Sequence, residues 1–272
     1  SIMFRILVLA TSLTCMSFAA KAHEFWISPE KHLVSSSGKV AASLRVGQDF
    51  VGNEQPYLPQ NFERFDYALG GTVMPVEGRL GDRPALQMDA PGDGLMVIIH
   101  ETNGLLLTWD EFERFEAFVE HKDAMWTLEA HKARGLSEEG VREIYTRYAK
   151  SLVGIGSAAG EDIVAGLETE IVALENPYTG DMSDGIDVRV LYQGAPRGDE
   201  QVEVYEMAEG GDVNVFTVRT DGNGVATVPV KAGARYMLDS VVLREPSAEL
   251  ANQRGIAWES LWANLTFGVP AN

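Results

Sequence analysis

The sequence predicts a mainly β protein with two β-sandwich domains and a helical insertion between them. Short apolar-alternating runs, separated by Gly, Pro and Asn, fill residues 23–107 and return after residue 166, a pattern typical of sandwich strands. Between residues 108 and 153 the apolar residues recur at every third or fourth position, which predicts helices. With 272 residues, of which 45% are hydrophobic and 23% charged, the chain is long enough to build two folded cores.

Residues 1–22 have the pattern of a secretory signal peptide. Arg5 provides a basic start, an apolar run covers Ile6 to Ala20, and Ala20, Lys21 and Ala22 form a small-x-small cleavage site. We therefore predict export to the periplasm. The mature chain then starts at His23 and is not embedded in the membrane.

A membrane anchor and a lipoprotein are the alternatives for this segment. The apolar run is shorter than the roughly 20 residues that a spanning helix needs. A lipoprotein would use Cys15, but Thr14 stands before it in place of a small Gly, Ala or Ser. Because Cys15 is the only cysteine, the mature chain has no thiol for catalysis, zinc binding or disulfides.

The N-terminal sandwich is predicted over residues 23–107 and the helical segment over residues 108–153. Strands are expected at Val40–Val46, Arg64–Leu69 and Gly94–His100. A first helix follows residue 108, and a second covers Ala124–Ala133. The apolar side chains of the first helix lie on one face: Phe112, Phe115, Phe118 and Val119.

A third helix is predicted from Ser137, which is a good N-cap residue. Glu138 and Glu139 follow at the positive end of the helix dipole. Apolar residues then recur at helical spacing: Val141, Ile144, Tyr145, Tyr148 and Leu152.

A glycine-rich linker is predicted at residues 154–166, and a second sandwich domain at residues 167–272. The turn Thr220–Gly224 separates two alternating runs, since Asn and Gly accept the positive φ of tight turns. About seven strands in a domain of this size are typical of an immunoglobulin-like sandwich. The predicted strands are Glu168–Leu174, Ile186–Tyr192, Gln201–Tyr205, Val213–Arg219, Val225–Val230, Arg235–Val242 and Leu261–Phe267.

The charge and the motifs exclude several function classes. A formal net charge of −18, with no cluster of Lys or Arg, argues against a nucleic-acid partner. The sequence has no Gly-x-Ser-x-Gly elbow, no phosphate-binding glycine loop and no pair of histidines at zincin spacing. We therefore predict a binding protein and not an enzyme.

His23 at the mature N-terminus is the strongest candidate metal ligand. Its free α-amine and its imidazole Nδ1 can close one chelate ring on a metal ion, and the amine has an ordinary pKa of about 8. Nitrogen ligands of this kind suit Cu(II) or Ni(II) better than Ca(II) or Mg(II). Alternatively, a histidine follows the cleavage site by chance and only starts a strand.

A second ligand must come from the other four histidines, His32, His100, His121 and His131. His100 closes an apolar strand, where a site can open to solvent. His121 ends the first helix, where it also complements the helix dipole. His131 is predicted inside a helix and His32 in a loop, so that surface positions are the simpler interpretation for both.

Five separated motifs resemble a bacterial periplasmic family that is filed as a domain of unknown function and described as the periplasmic component of nickel or cobalt uptake. The motifs are Ala22-His23-Glu24-Phe25-Trp26-Ile27, Arg147-Tyr148-Ala149-Lys150-Ser151-Leu152, Asn176-Pro177-Tyr178, Thr220-Asp221-Gly222-Asn223-Gly224 and Trp258-Glu259-Ser260-Leu261-Trp262-Ala263-Asn264-Leu265-Thr266-Phe267. They span nearly all of the mature chain.

The resemblance implies a metal site that contains His23, because members of the family begin their mature chains with His. His100, His121 and His131 are also implied as ligands, and His32 is not. The implied cargo is Ni(II) or Co(II), with Cu(II) as the alternative, and the implied partner is a membrane metal transporter.

Two other functions remain open from the sequence. A copper redox enzyme could use the same terminal-histidine brace, but it needs an open coordination position beside a flat aromatic face. An adhesion or scaffold protein built from sandwich domains would have incidental histidines and no specific metal affinity.

Overall fold

Residues 23–272 are described by a computed structural model, and the predicted signal peptide, residues 1–22, lies outside the described residues. The first part of the fold contains nine strands: β1 (Glu24–Pro29), β2 (Leu33–Val34), β3 (Lys39–Gln48), β4 (Val51–Gln55), β5 (Phe62–Leu69), β6 (Thr72–Pro75), β7 (Leu86–Asp89), β8 (Gly94–Thr102) and β9 (Leu105–Thr108). A short 3-10 helix covers Pro59–Asn61.

Two helices and nine more strands follow, with a third helix before the last strand. The elements are α1 (Phe112–His121), α2 (Trp126–Ala133), β10 (Arg142–Ile155), β11 (Thr169–Ala173), β12 (Ile186–Tyr192), β13 (Ala195–Pro196), β14 (Gln201–Met207), β15 (Val213–Arg219), β16 (Val225–Val228), β17 (Arg235–Arg244), α3 (Ala248–Arg254) and β18 (Trp258–Gly268). The predicted mainly β class, a β-sandwich with a helical insertion, is confirmed.

A ten-stranded mixed sheet forms the centre of the molecule. Its main path runs β15-β14-β17-β18-β10-β8-β5-β6, and β2 and β9 also pair with β10. β10 pairs with β18 in parallel and with β8 antiparallel, so strands from both predicted sandwich domains share this one sheet.

Each face of the central sheet packs against a smaller four-stranded sheet. One is β1-β3-β4 with β7 on β3, and the other is β11-β12-β13 with β16 on β12. The first sheet buries Phe25 and Ile27 against Met96 and Ile98 of β8. In the central strands, the residues whose side chains point to the opposite face pack against the second sheet. The molecule therefore has two separate sandwich cores, one on each face of the central sheet.

The third predicted helix is wrong, because the chain from Arg142 to Ile155 is strand β10. β10 is covered on both faces, and buried charged residues such as Arg147 and Lys150 interrupt its apolar residues, so that their spacing resembles that of a helix. In β10, Tyr148 and Leu152 face one core, whereas Ala149 and Val153 face the other. The helical insertion therefore ends at Ala133.

The insertion packs against the outer part of the central sheet. Phe115 and Phe118 of α1 lie in one buried cluster with Trp258 and Trp262 of β18. This packing fixes the C-terminal end of α1 over the sheet face that β1 also covers. None of the helices in residues 23–272 has the length and the hydropathy of a membrane-spanning segment.

Candidate functional site

A buried polar cluster lies where β1 and the end of α1 meet the central sheet. Glu203 on β14, Asp239 on β17 and Asn264 on β18 stand opposite one another in neighbouring strands. Because paired residues of a sheet project to the same side, these three side chains form a row on one face. Glu24 of β1 and Lys122, directly after α1, belong to the layer that packs on this face, and they contact the row from above.

Lys122 is the central cation of the cluster. Its ammonium group donates to Glu203 Oε1 at 2.7 Å and to Glu24 Oε1 at 3.3 Å, and lies 3.7 Å from Asp239 Oδ1. It also lies 4.5 Å from the centre of the Trp262 ring. Burial disfavours its charge, but the three carboxylates outweigh burial and hold the pKa of Lys122 above its usual range.

Tyr205 connects the two glutamates. Its hydroxyl oxygen lies 2.8 Å from Glu24 Oε1 and 2.7 Å from Glu203 Oε2. A hydroxyl has a single proton to donate, so only one carboxylate can receive it at a time. Tyr205 therefore keeps the two carboxylates close together.

The carboxyl groups in the cluster have different proton affinities. Burial would raise the pKa of Glu203, but the hydrogen bond from His121 and the charge of Lys122 lower it to about 2. Burial raises the pKa of Asp239 to about 7, although Lys122 opposes this. At neutral pH the cluster thus contains one firmly ionised carboxylate and one that titrates.

His121 forms the solvent-facing side of the cluster. Its Nε2 donates to Glu203 Oε2 at 2.9 Å, and its side chain is 58% exposed. This hydrogen bond raises the pKa of His121 above its ordinary value. Ligand atoms of Glu24, His121 and Glu203 all lie within 4.8 Å of one another, and within residues 23–272 no other group of three His, Cys, Asp or Glu residues does so.

His23 precedes Glu24 and lies at the edge of the cluster. Its carbonyl oxygen accepts a hydrogen bond of 2.6 Å from Arg147 on β10. Four buried polar atoms in this region lack a hydrogen-bond partner among residues 23–272: His23 Nδ1, Arg147 Nε, Asp239 Oδ1 and Asn264 Oδ1. Buried polar atoms are normally hydrogen-bonded, so these four atoms are free to bind an ion or water molecules.

The other predicted ligands occupy different environments. The His131 ring binds the Ser137 carbonyl oxygen through Nε2 and the Trp258 indole N–H through Nδ1. His100 is buried among aromatic rings, with its ring centre 4.9 Å from that of Phe25, and burial lowers its pKa to about 3. Its Nδ1 has no hydrogen-bond partner among the described residues.

His32, which the resemblance did not include, lies apart from the cluster. Its Nδ1 is 3.1 Å from the Tyr178 hydroxyl group, and burial lowers its pKa to about 4. Of the five histidines, the structure thus brings His121 into the polar cluster and places His23 beside it.

The sequence analysis missed the residues that build this cluster: Glu24, Lys122, Glu203, Tyr205, Asp239 and Asn264. The available signal was a charged residue within a mostly apolar run, such as Asp239 in residues 236–243. A buried charge needs a partner, and that partner comes from a distant part of the chain.

Comparison with known families gives one match. A family model with the description Domain of unknown function (DUF4198) matches residues 20–243, which is most of the chain. No curated protein matches the chain.

Proposed function

Since the chain belongs to the DUF4198 family, we propose from its geometry that it binds a divalent transition-metal ion in the periplasm and delivers it to a membrane uptake system. The proposed cargo is Ni(II) or Co(II), with Cu(II) as the alternative. The proposed ligands are His121, Glu203, Glu24 and the mature N-terminal residue His23.

One observation carries this proposal. An imidazole nitrogen and two carboxylate oxygens, from three separate parts of the chain, lie within 4.8 Å of one another. Imidazole with carboxylate is a donor set that first-row divalent metals accept. The exposed side of His121 gives an ion access from solvent, which suits a protein that must also release it.

His23 adds nitrogen donors to this set after signal cleavage. Its Nδ1 is buried and unpartnered, and Arg147 holds its carbonyl oxygen in place. The free α-amine and Nδ1 belong to one residue, so they can form a chelate without further loss of chain entropy. This arrangement requires that the chain start at His23.

The charge of the cluster fits a cation. Glu24, Glu203 and Asp239 face Lys122 and Arg147, so the cluster carries one net negative charge when all three carboxylates are ionised and His121 has lost its proton. His121 and Glu203 are both proposed ligands, and the proton that they share lies where a metal ion would bind. Metal and proton are therefore expected to compete for the site.

Calorimetric titration with Ni(II), Co(II) and Cu(II) tests this proposal. The protein that starts at His23 is compared with one that retains Ala22 and with a His121→Ala variant. Glu120→Ala is the matched control, because Glu120 is the exposed neighbour of His121 and lies outside the cluster. We expect tight binding in the first protein and the control, and at least a tenfold weaker Kd in the other two.

Equal affinity in all four proteins would overturn the proposed site. If none of them binds a metal ion, the metal-binding function is wrong, and an adhesion or scaffold protein becomes the better hypothesis. Oxygen or peroxide consumption by the copper-loaded protein with a reductant separates a carrier from a redox enzyme, and we expect no sustained turnover.

A further inference from the structure

A second buried group of charged side chains lies on the opposite face of the central sheet. Lys150 of β10 has its Nζ 3.0 Å from Asp162 Oδ1, 3.1 Å from Asp162 Oδ2 and 2.9 Å from Glu170 Oε2. All three side chains are at most 1% exposed. This Lys-Asp-Glu triad is separate from the polar cluster around Lys122.

The triad holds the lysine nitrogen in contact with the Asp162 carboxyl group. Nζ is nearly equidistant from the two Asp162 oxygens, at 3.0 and 3.1 Å, and Cγ is bonded to both of them. A nucleophile held this close to its target needs only a small shift to reach an attack geometry. Nζ also donates to Glu170 Oε2 at 2.9 Å, so this carboxylate can take a proton from it, and to the carbonyl oxygens of Ile163 at 2.8 Å and Ile171 at 3.3 Å.

The backbone around Asp162 is arranged to stabilise negative charge on its oxygens. Oδ2 accepts from the Ala173 N–H at 2.8 Å, and Oδ1 accepts from the Ile163 N–H at 2.8 Å. Donors that are fixed before reaction stabilise the oxyanion of an acyl-transfer intermediate. Glu170 is held in turn by the Ala165 N–H at 2.7 Å.

Burial favours the protonated form of Asp162. The three side chains are removed from water, and as charged groups they would comprise two carboxylates and only one ammonium. Burial raises the pKa of Asp162, although the charge of Lys150 and the hydrogen bonds from the Ala173 and Ile163 N–H groups oppose the shift.

We propose that Lys150 and Asp162 form an intramolecular isopeptide bond, with Glu170 as the proton carrier. The Nζ lone pair of neutral Lys150 attacks Cγ of protonated Asp162, and a tetrahedral oxyanion forms. Glu170 takes a proton from Nζ and gives it to the hydroxyl group on Cγ. The C–O bond to that group breaks, water leaves, and an Nζ–Cγ amide remains with Glu170 again ionised.

The bond would anchor a long irregular segment. Residues 156–168 contain no helix or strand and connect β10 to β11. Asp162 lies in the middle of this segment and Lys150 in the centre of the main sheet. A covalent link between them would fix the segment even when its hydrogen bonds open.

Mass spectrometry of the purified wild-type protein tests the proposal directly. The bond lowers the intact mass by the mass of one water molecule. Trypsin cleaves after Lys150 in the unmodified chain and separates residues 148–150 from residues 151–189, since no Lys or Arg lies between Lys150 and Arg189. In the cross-linked chain Lys150 is not cleaved, and residues 148–189 appear as one looped peptide that lacks one water.

Three variants make the result specific. Glu170→Gln keeps the size of the side chain but removes the proton acceptor, so we expect the full unmodified mass. Lys150→Arg keeps a positive charge but has no amine nucleophile, and it is also expected to show the unmodified mass. In Asp162→Asn the same attack releases ammonia, so the cross-linked product has the same mass as the cross-linked wild type.

In the opposing outcome, Lys150, Asp162 and Glu170 form ion pairs only and no covalent bond. A folded wild-type protein whose intact mass equals the sequence mass, and whose peptides 148–150 and 151–189 separate after days at neutral pH, would overturn the proposal. The same holds if Glu170→Gln or Lys150→Arg also loses one water. The wild-type measurement decides the matter even if a variant fails to fold.

Discussion

Trp258 donates its indole N–H to Nδ1 of His131 at 3.0 Å, which ties α2 to the first residue of β18. Nε2 of the same ring donates to the Ser137 carbonyl oxygen at 2.9 Å. Both ring nitrogens are thus engaged within the protein, and His131 is only 2% exposed. These contacts give His131 a structural role that does not depend on a metal ion.

Replacement of His131 by Leu should lower stability and leave metal affinity unchanged. The substitution leaves the Trp258 N–H and the Ser137 carbonyl without partners, at about 1–3 kcal/mol for each buried group. Urea denaturation measures the loss, and Ni(II) titration of the folded variant measures the affinity. If the variant stays stable but no longer binds Ni(II), His131 is a metal ligand, as the family resemblance implies.

Glu203→Gln should lower the pKa of His121 towards its ordinary value of about 6.5. In the wild-type protein the hydrogen bond to Glu203 raises this pKa. The raised pKa means that the ion pair contributes stability that is fully present below the unfolded pKa and is lost as the pH rises through the folded pKa. NMR titration of the His121 imidazole reads the pKa in both proteins. Equal pKa values would contradict the pairing.

Metal affinity should fall as the solution becomes more acidic. A bound metal ion requires the neutral imidazole of His121, and protonation at a raised pKa competes with it. Below the pKa of His121 we expect about a tenfold weaker Kd for each pH unit, from this one proton. Competition titrations between pH 6 and 8 measure the slope. A flat profile over this range would exclude His121 as a ligand.

Lys122→Met should strongly destabilise the protein. The substitution leaves Glu24, Glu203 and Asp239 without their shared cation, and an uncompensated buried charge costs about 3–5 kcal/mol. Lys132→Met is the matched control, because Lys132 is exposed on α2 and should change stability little. Chemical denaturation of both variants at pH 7 gives the comparison. Similar losses in the two variants would refute the central role of Lys122.

Glu143→Gln should stabilise the protein at alkaline pH. Glu143 is fully buried, and burial raises its pKa to about 7, although hydrogen bonds from Ser260 and Trp109 oppose the shift. A raised carboxyl pKa makes the wild-type protein lose stability between about pH 4.5 and pH 7, by about 3 kcal/mol in total. The variant cannot ionise, so its unfolding free energy should exceed that of the wild type at pH 8 and match it near pH 4. A difference between the two unfolding free energies that does not grow from pH 4 to pH 8 would contradict this assignment.

The seven strands predicted after residue 166 are all present, whereas in residues 23–107 only β3, β5 and β8 correspond to strands named from the sequence. Ile186–Tyr192 and Val213–Arg219 agree at both ends. β10 was not predictable from periodicity, since Glu143, Arg147 and Lys150 are charged residues buried in a central strand. Each of them is stabilised by groups from distant parts of the chain, which local patterns do not contain.

The candidate site was predictable only in part. A terminal histidine after a cleavage site indicated His23, and the end of a helix indicated His121. The carboxylates around them were not found, because Glu203 and Asp239 come from separate strands that pair only in the folded sheet. Their positions depend on register, which a single sequence does not specify for distant strands.

The position of β18 also determines the order in which this molecule can be completed. β18 is synthesised after all the other strands of residues 23–272, yet it lies between β17 and β10 in the middle of the central sheet. Until residues 258–268 are available, β10 and β17 each present an open edge of backbone N–H and C=O groups. Exposed edges of this kind recruit strands from other chains. A chain that ends before Trp258 would therefore be expected to aggregate, although most of its residues are present.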